Sequence, residues 1–279
     1  MNKSGKLEKE AMHVLKQTSR TFYIPIKLLK SQLRETVASA YLCMRAVDEV
    51  EDHVTLDPAA KQHILRETAA LLQQDFDETA YQELVEPHRE LLPEVTLRLG
   101  DWIAFCPSGI VEKVKESTAV MAKGMADWVE RDWQVKTKED LDDYTYYVAG
   151  LVGVMLSDIW YWYDGTKTDK QLAIGYGRGL QAVNVLRNKD EDAERGVRFF
   201  PDNWTRNDMF AYAEGNLRQA EEYIQSIQTK NILLFCKIPL GLAKRTLKAL
   251  KNGEEKISRA EVNETVDDII KKTVSKLCV

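Results

Sequence analysis

The chain is poor in the residues that break, bend or cross-link a polypeptide. Its 279 residues include 14 glycines, 7 prolines and 4 cysteines. With 44% apolar and 30% charged residues, that sparseness excludes a disordered or fibrous protein and describes a well-packed globular one. Cys43, Cys106, Cys236 and Cys278 form no C-x-x-C pair, which excludes a disulfide scaffold and fits a reducing compartment. A basic block is missing too. Lysine plus arginine number 39 against 44 aspartates and glutamates, for a net charge of −5, so no nucleic acid is expected as a partner. The most apolar stretch, residues 146–156, soon meets Asp158 and is too short to span a bilayer. The first ten residues lack the apolar core of a secretion signal. A cytoplasmic location is expected, and peripheral contact with a membrane stays open to a protein that handles a lipid.

Period-two alternation between Asn-Gly or Asp-Gly turns is also missing, which leaves strands without support. Apolar residues recur instead at three- and four-residue steps: Cys43, Val47, Val50 and Val54; Leu180, Val183 and Leu186; and Met209 to Tyr212, continuing to Tyr223 and Ile227. Pro25, Pro58, Pro87, Pro93, Pro107 and Pro201 mark helix ends, and Pro239 kinks or starts a late helix. We expect about ten helices, a loop around residues 199–203 and a mobile, polar tail after about Gly253. No proline lies between Pro107 and Pro201, and no linker or repeat appears. The expectation is one all-α domain over residues 1–279.

Two polar stripes stand out. At about 100° per residue, Asp48 and Asp52 lie one turn apart on one helix face, and Arg45 and Tyr41 continue that line backwards. Alone, this is an ordinary amphipathic surface helix. Two like charges at i,i+4 are nonetheless mildly unfavourable unless something positive sits between them. Mg²⁺ suits that place, since it binds one or two carboxylates and completes its shell with phosphate oxygens and water. The second stripe runs through Gln181, Asn184, Asn188, Asp192 and Arg195, three or four residues apart. Its amides and carboxylate are oxygen ligands for a hard cation, and Arg187 and Arg195 can clamp phosphates. A solvated helix face accounts for it equally well.

Other phosphate chemistries find no footing. No cysteine is followed by arginine six residues on, and no G-x-x-x-x-G-K-[ST] occurs. Gly175, Gly177 and Gly179 sit in a helical context and read as a helix-packing site. His13, His53, His63 and His88 show no paired ligand spacing and read as surface or capping residues. Trp160-Tyr161-Trp162-Tyr163 reads as core packing or a membrane-facing patch, with a lipid-docking surface as its functional alternative.

Asp48-x-x-Glu51-Asp52 after Tyr41 and Arg45, and Gln181-x-x-Asn184-x-x-Arg187-Asn188-x-x-x-Asp192, resemble the two metal-binding motifs of the squalene/phytoene synthase family. Ser19-Arg20-Thr21-Phe22 is similar to its N-terminal diphosphate-contacting segment. Gly124 to Asp127, Tyr144 to Gly153 and Arg195 to Pro201 resemble further family segments, in the same order. The resemblance covers about residues 15 to 250. It implies an all-α, isoprenoid synthase-type bundle around a central apolar cavity. Phe22, Tyr41, Val129, Leu151 and Met155 are candidates for the cavity wall. It further implies a prenyl diphosphate substrate and Mg²⁺ held by Asp48, Glu51, Asp52, Asn184 and Asp192. Catalytic roles fall to Arg45, Asp48, Asp52 and Asp192. Substrate contacts fall to Ser19, Arg20, Phe22, Tyr41, Gln181, Asn184, Arg187, Asn188 and Arg195.

The chain departs from the family's pattern at Asn188, where coupling members carry aspartate. Asparagine offers one neutral oxygen where aspartate offers two that share a charge. Asp190 cannot replace it, pointing about 200° away. His53 also follows the first motif where many relatives have another acid. The expectation is therefore ionisation of farnesyl diphosphate with capture by water, giving farnesol. Head-to-head condensation of two prenyl diphosphates to squalene, dehydrosqualene or phytoene is the alternative. A non-catalytic prenyl-diphosphate-binding scaffold is a third reading, of another class.

Overall fold

Several helices in this chain start where short polar side chains satisfy the free amides of a first turn. The Asp57 carboxylate accepts from the Ala60 amide at 3.0 Å ahead of Pro58, and Asp169 accepts from the Gln171 amide at 2.7 Å. Thr137 with Asp140, and Thr205 with Asp208, form reciprocal capping boxes. The computed structural model describes residues 3–19 and 21–276. Its α-helices are α1 (Lys3–Thr18), α2 (Tyr23–Lys27), α3 (Ser31–Glu51), α4 (Pro58–Leu72), α5 (Glu78–Val85), α6 (Glu94–Leu97), α7 (Leu99–Phe105), α8 (Val111–Glu130), α9 (Lys138–Thr145), α10 (Leu151–Asp164), α11 (Lys170–Glu194), α12 (Arg206–Tyr223), α13 (Lys230–Lys251) and α14 (Arg259–Lys276). Among the described residues the only extended pairing is an isolated parallel bridge between Gln134 and Arg198. The all-helical reading holds. The helices outnumber the expected ten because residues 78–105 are cut into short pieces at Pro87 and Pro93. No described helix is long and apolar enough to cross a membrane.

The chain folds as two compact units. The first comprises the chain up to Tyr23 together with Ser31–Trp133, and the second comprises Ile24–Lys30 with the chain from Gln134 onward. The chain passes from one to the other at three places, and the last, between Trp133 and Gln134, falls inside the proline-free stretch, where the sequence offers no break.

In the first unit α3 packs against α1, α6, α7 and α8, and α4 packs on α8. Leu33, Val37, Leu42, Cys43, Val47 and Val50 of α3 are all buried, each large one contributing about 1.5–3 kcal/mol by leaving water. Polar atoms on the same helix are matched: Ser39 Oγ donates to the Trp102 carbonyl at 2.7 Å, and Thr96 Oγ1 donates to the Ala46 carbonyl at 2.9 Å. Val54 does not extend the stripe as expected. It is 81% exposed, because α3 ends at Glu51 and the chain turns there. His53 caps that turn, its Nδ1 accepting from the Leu56 amide at 3.2 Å.

In the second unit α11 packs against α10, α12 and α13. Its glycines permit the approach. A Cβ on Gly177 would stand 2.2 Å from the Ala149 carbonyl oxygen, and one on Gly179 would stand 2.9 Å from Leu217. The partner of Gly177 lies in a π-helical turn, Tyr146–Gly150, that joins α9 to α10. α13 runs through Pro239 without interruption, so this proline does not start a helix. The expected polar tail is instead helix α14. Ser258 and Glu261 cap it reciprocally at 2.8 and 3.3 Å, and Ile269 packs on Gly241 of α13. Its apolar positions are thinly spread among charges, and Val266 is buried. Trp160 is core, edge-on to Phe235 at 5.4 Å, whereas Tyr161 is exposed.

Candidate active site

α3 concentrates four carboxylates in and just beyond its last turn, Asp48, Glu49, Glu51 and Asp52. Asp48, Glu51 and Asp52 can bring one oxygen each within 4.8 Å of one another. That is the negative pole of a helix dipole, where each acid is unfavourable by about 0.3–1 kcal/mol. Arg45, one turn back, offsets part of this: its Nη1 donates to Asp48, and its Nε donates to Glu49 at 2.9 Å. The relief is incomplete. Burial, then the charge of Asp52, pushes Asp48 up to about 7 even against the pull of Arg45. Burial, then Asp52 and Asp48, pushes Glu51 up to about 8. Three ionised acids this close need a cation or a proton between them. An all-oxygen, carboxylate-only set fits a hard divalent ion such as Mg²⁺, so the residues suit the group that the motif implies.

Glu51 is the most deeply buried of the three. The indole Nε1 of Trp133 donates to its Oε1, and Lys61 Nζ donates to its backbone carbonyl at 2.7 Å. The same ammonium lies 4.8 Å from the centroid of the Trp133 ring. Trp133 arrives by an unusual turn. α8 ends with the Asp132 amide donating to the Val129 carbonyl and the Trp133 amide to the Trp128 carbonyl, both at 3.1 Å. That is a Schellman pattern, with Asp132 where glycine is preferred. Asp132 has φ 50° and Trp133 φ 49°. Each costs about 1–2 kcal/mol as a left-handed, non-glycine residue.

Near the N-terminus, Ser19 is buried and its Oγ accepts from the Phe22 amide at 2.9 Å. Tyr41 Oη donates to the Thr18 carbonyl at 3.0 Å, and its ring lies 6.3 Å from that of Phe22. The end of α1 is thereby tied to α3. Arg20 lies outside the described residues.

α11 carries the second stripe along one line. Gln181, Asn184, Asn188 and Asp192 are half-buried, whereas Arg187 and Arg195 are exposed. Asn184 Nδ2 donates to Gln181 Oε1 at 3.3 Å, and Arg187 Nε donates to Asn188 Oδ1 at 3.0 Å. The amide oxygen in the place of the family's acid is thus already engaged. Arg195 closes the helix, and Gly196 follows at φ 76°. Beyond it, Phe199 stacks on Tyr144 at 4.5 Å.

Sequence reasoning missed Glu49, Lys61 and Trp133. Glu49 was legible as the i+4 partner of Arg45. Nothing in the sequence links Lys61 or Trp133 to Glu51, since only the fold brings them together. Val129, Leu151 and Met155 are buried, and Phe22 and Tyr41 half-buried.

A family model for squalene/phytoene synthase matches residues 15–209. The squalene synthase of Eremothecium gossypii is 30% identical over 292 residues, spanning 91% of this chain and 64% of that protein. That of Rattus norvegicus is 28% identical over 274 residues, spanning 86% and 63%. The chain therefore spans somewhat under two thirds of these curated relatives. Among solved structures, a ligand complex of TcSQS superposes with a TM-score of 0.79 at 25% identity, over 98% of this chain and 91% of that one. The squalene synthase HpnC from Alicyclobacillus acidocaldarius has the same fold, with a TM-score of 0.61 at 17% identity over 89% and 95%. With its acidic cluster, its polar α11 stripe and a match over most of its length, the chain belongs to the squalene/phytoene synthase family.

Proposed function

We propose that the chain ionises a prenyl diphosphate with the help of Mg²⁺ and joins two such chains head to head. The observation that carries this reading is the close cluster of Asp48, Glu51 and Asp52, in which Glu51 is buried and both Asp48 and Glu51 are pushed upward, in a chain whose curated relatives include squalene synthases. Those relatives favour condensation over the hydrolysis expected from Asn188.

Asp48, Glu51 and Asp52 would hold a cation, and Asn184 and Asp192 are assigned as oxygen donors on α11. When bound, the cation offsets the charge that builds on the departing diphosphate. Arg187 and Arg195 are suited to grip phosphate oxygens, and Ser19, Arg20, Phe22, Tyr41, Gln181 and Asn188 are assigned substrate contacts. Arg45 is already committed to Asp48 and Glu49, and its role is to hold the acid cluster in place. As the allylic C–O bond breaks, diphosphate leaves with the electron pair. The double bond of the second prenyl chain then attacks the cation and a proton is lost. An apolar surround keeps water away from that cation.

A second reading rests on Asn188, which lacks the acid's charge and whose oxygen is held by Arg187. If coupling is lost there, water captures the cation and the product is the prenyl alcohol. Incubation of the protein with farnesyl diphosphate and Mg²⁺, with and without NADPH, followed by mass identification of the organic product, decides between them. A C30 product is expected. Farnesol alone supports the second reading, and intact substrate overturns both.

A further inference from the structure

We propose that Trp133 is a positioning residue for the cation-binding acids, fixing the rotation of the Glu51 carboxylate through its indole N–H. The inference rests on the cation role proposed for Asp48, Glu51 and Asp52. Three observations carry it. Trp133 Nε1 donates to Oε1 of Glu51, the most buried acid of the cluster. Lys61, itself buried, braces both partners at once, with its ammonium against the indole face and on the Glu51 backbone carbonyl. The third is the backbone: Asp132 and Trp133 are consecutive left-handed residues, and neither is glycine. Backbone outliers of this kind persist where the surroundings over-determine them, and they gather at functional sites.

The chemistry suits positioning. A carboxylate free to rotate presents its oxygens to a cation in many directions. One that has committed one oxygen to a fixed donor presents the other in few. An indole N–H is a neutral donor, so it orients the group without bringing a positive charge that would compete with the metal. Groups that hold metal ligands in this way commonly affect affinity by about 10- to 100-fold.

The test is Mn²⁺ binding to the substrate-free protein, read from the electron paramagnetic resonance signal of the free ion. Trp133→Phe keeps a ring but loses the donor, and its affinity is expected to fall about tenfold or more. Trp133→His keeps a ring N–H and is expected to retain more affinity than Trp133→Phe. Trp102→Phe is the structural control, because the Trp102 indole also makes a buried hydrogen bond, to the Val95 carbonyl at 2.8 Å. It should lower the melting temperature and leave Mn²⁺ affinity unchanged. Wild-type affinity in Trp133→Phe, an equal loss in Trp102→Phe, or equal affinities of the Phe and His variants overturns the inference. Wild-type protein that binds no Mn²⁺ overturns it together with the cation role. If the Mn²⁺ results are as expected but no prenyl product forms, the inference stands and the proposed reaction falls.

Discussion

α3 and α11 both carry a polar stripe with three- and four-residue spacing, and the structure treats the two stripes differently. The acids of α3 are crowded at the helix's negative pole, Asp48 tied to Arg45 and Glu51 to Trp133, and these two are driven far above the ordinary carboxylate range. The α11 stripe is mostly neutral, with longer hydrogen bonds between neighbouring side chains and two exposed arginines. One stripe crowds charges of one sign together. The other sets neutral amides beside two exposed arginines. Similar spacing can thus end in two electrostatic environments, and the surroundings decide which.

The largest effect should come from Asp48. Asp48→Asn is expected to slow release of diphosphate from farnesyl diphosphate by about 10²–10³-fold with the fold intact by circular dichroism. A rate within a few-fold of wild type would erase the contrast between the helices. Next is pH. The metal-free folded chain keeps protons on Asp48 and Glu51 that the unfolded chain has already released above roughly pH 4. These groups therefore contribute most stability at low pH, and that contribution is lost as pH climbs through about 7 and 8. The slope is on the order of 1 kcal/mol per pH unit for each group. Urea unfolding in a chelator should show stability falling from pH 5 to 8, less steeply in Glu51→Gln. A rise over that window would refute the assignment.

On α11 the expected effects are smaller. Gly177→Ala meets the Ala149 carbonyl, a backbone atom that cannot step aside, and should cost about 1–3 kcal/mol in the urea midpoint. A neutral result would mean that α11 is less tightly seated than α3. The mildest change is Asn188→Asp. It restores an acid to the stripe and should shift the ratio of coupled hydrocarbon to prenyl alcohol toward the hydrocarbon, as read by mass. An unchanged ratio would show that the neutral stripe is sufficient as it stands.

Much of this was legible in the sequence because it depends on local periodicity. The all-helical fold, both stripes and the packing role of Gly175, Gly177 and Gly179 follow from spacing alone. What escaped depends on through-space meetings or weak local signals. Trp133 is 82 residues from Glu51, and Lys61 lies on another helix. The ends of α8 and α11 show the difference well. Both close with the same turn, but α11 announces it with Gly196 at φ 76°, whereas α8 places Asp132 at φ 50° and gives no sign. Helix α14 was hidden because its apolar residues are thinly spread among charges, so that its burial against α13 depends on the fold.

The π turn at Tyr146–Gly150 has a consequence for how this segment can change over time. Leu151 N–H reaches back five residues to the Tyr146 carbonyl, so the turn holds one residue more than an α-helical turn would. Five steps at the wider π pitch turn the chain about as far as four α-helical ones, so the extra residue is taken up without rotating either arm: Tyr144 and Thr145 address Phe199 and Tyr212, while Gly150 and Gly153 face α11. Deleting one residue within the turn would return it to α-helical pitch and leave both arms aimed as they are, whereas the same deletion inside α10 would swing the residues beyond it by about 100°. The turn is the one place in this segment where a change of length is absorbed locally.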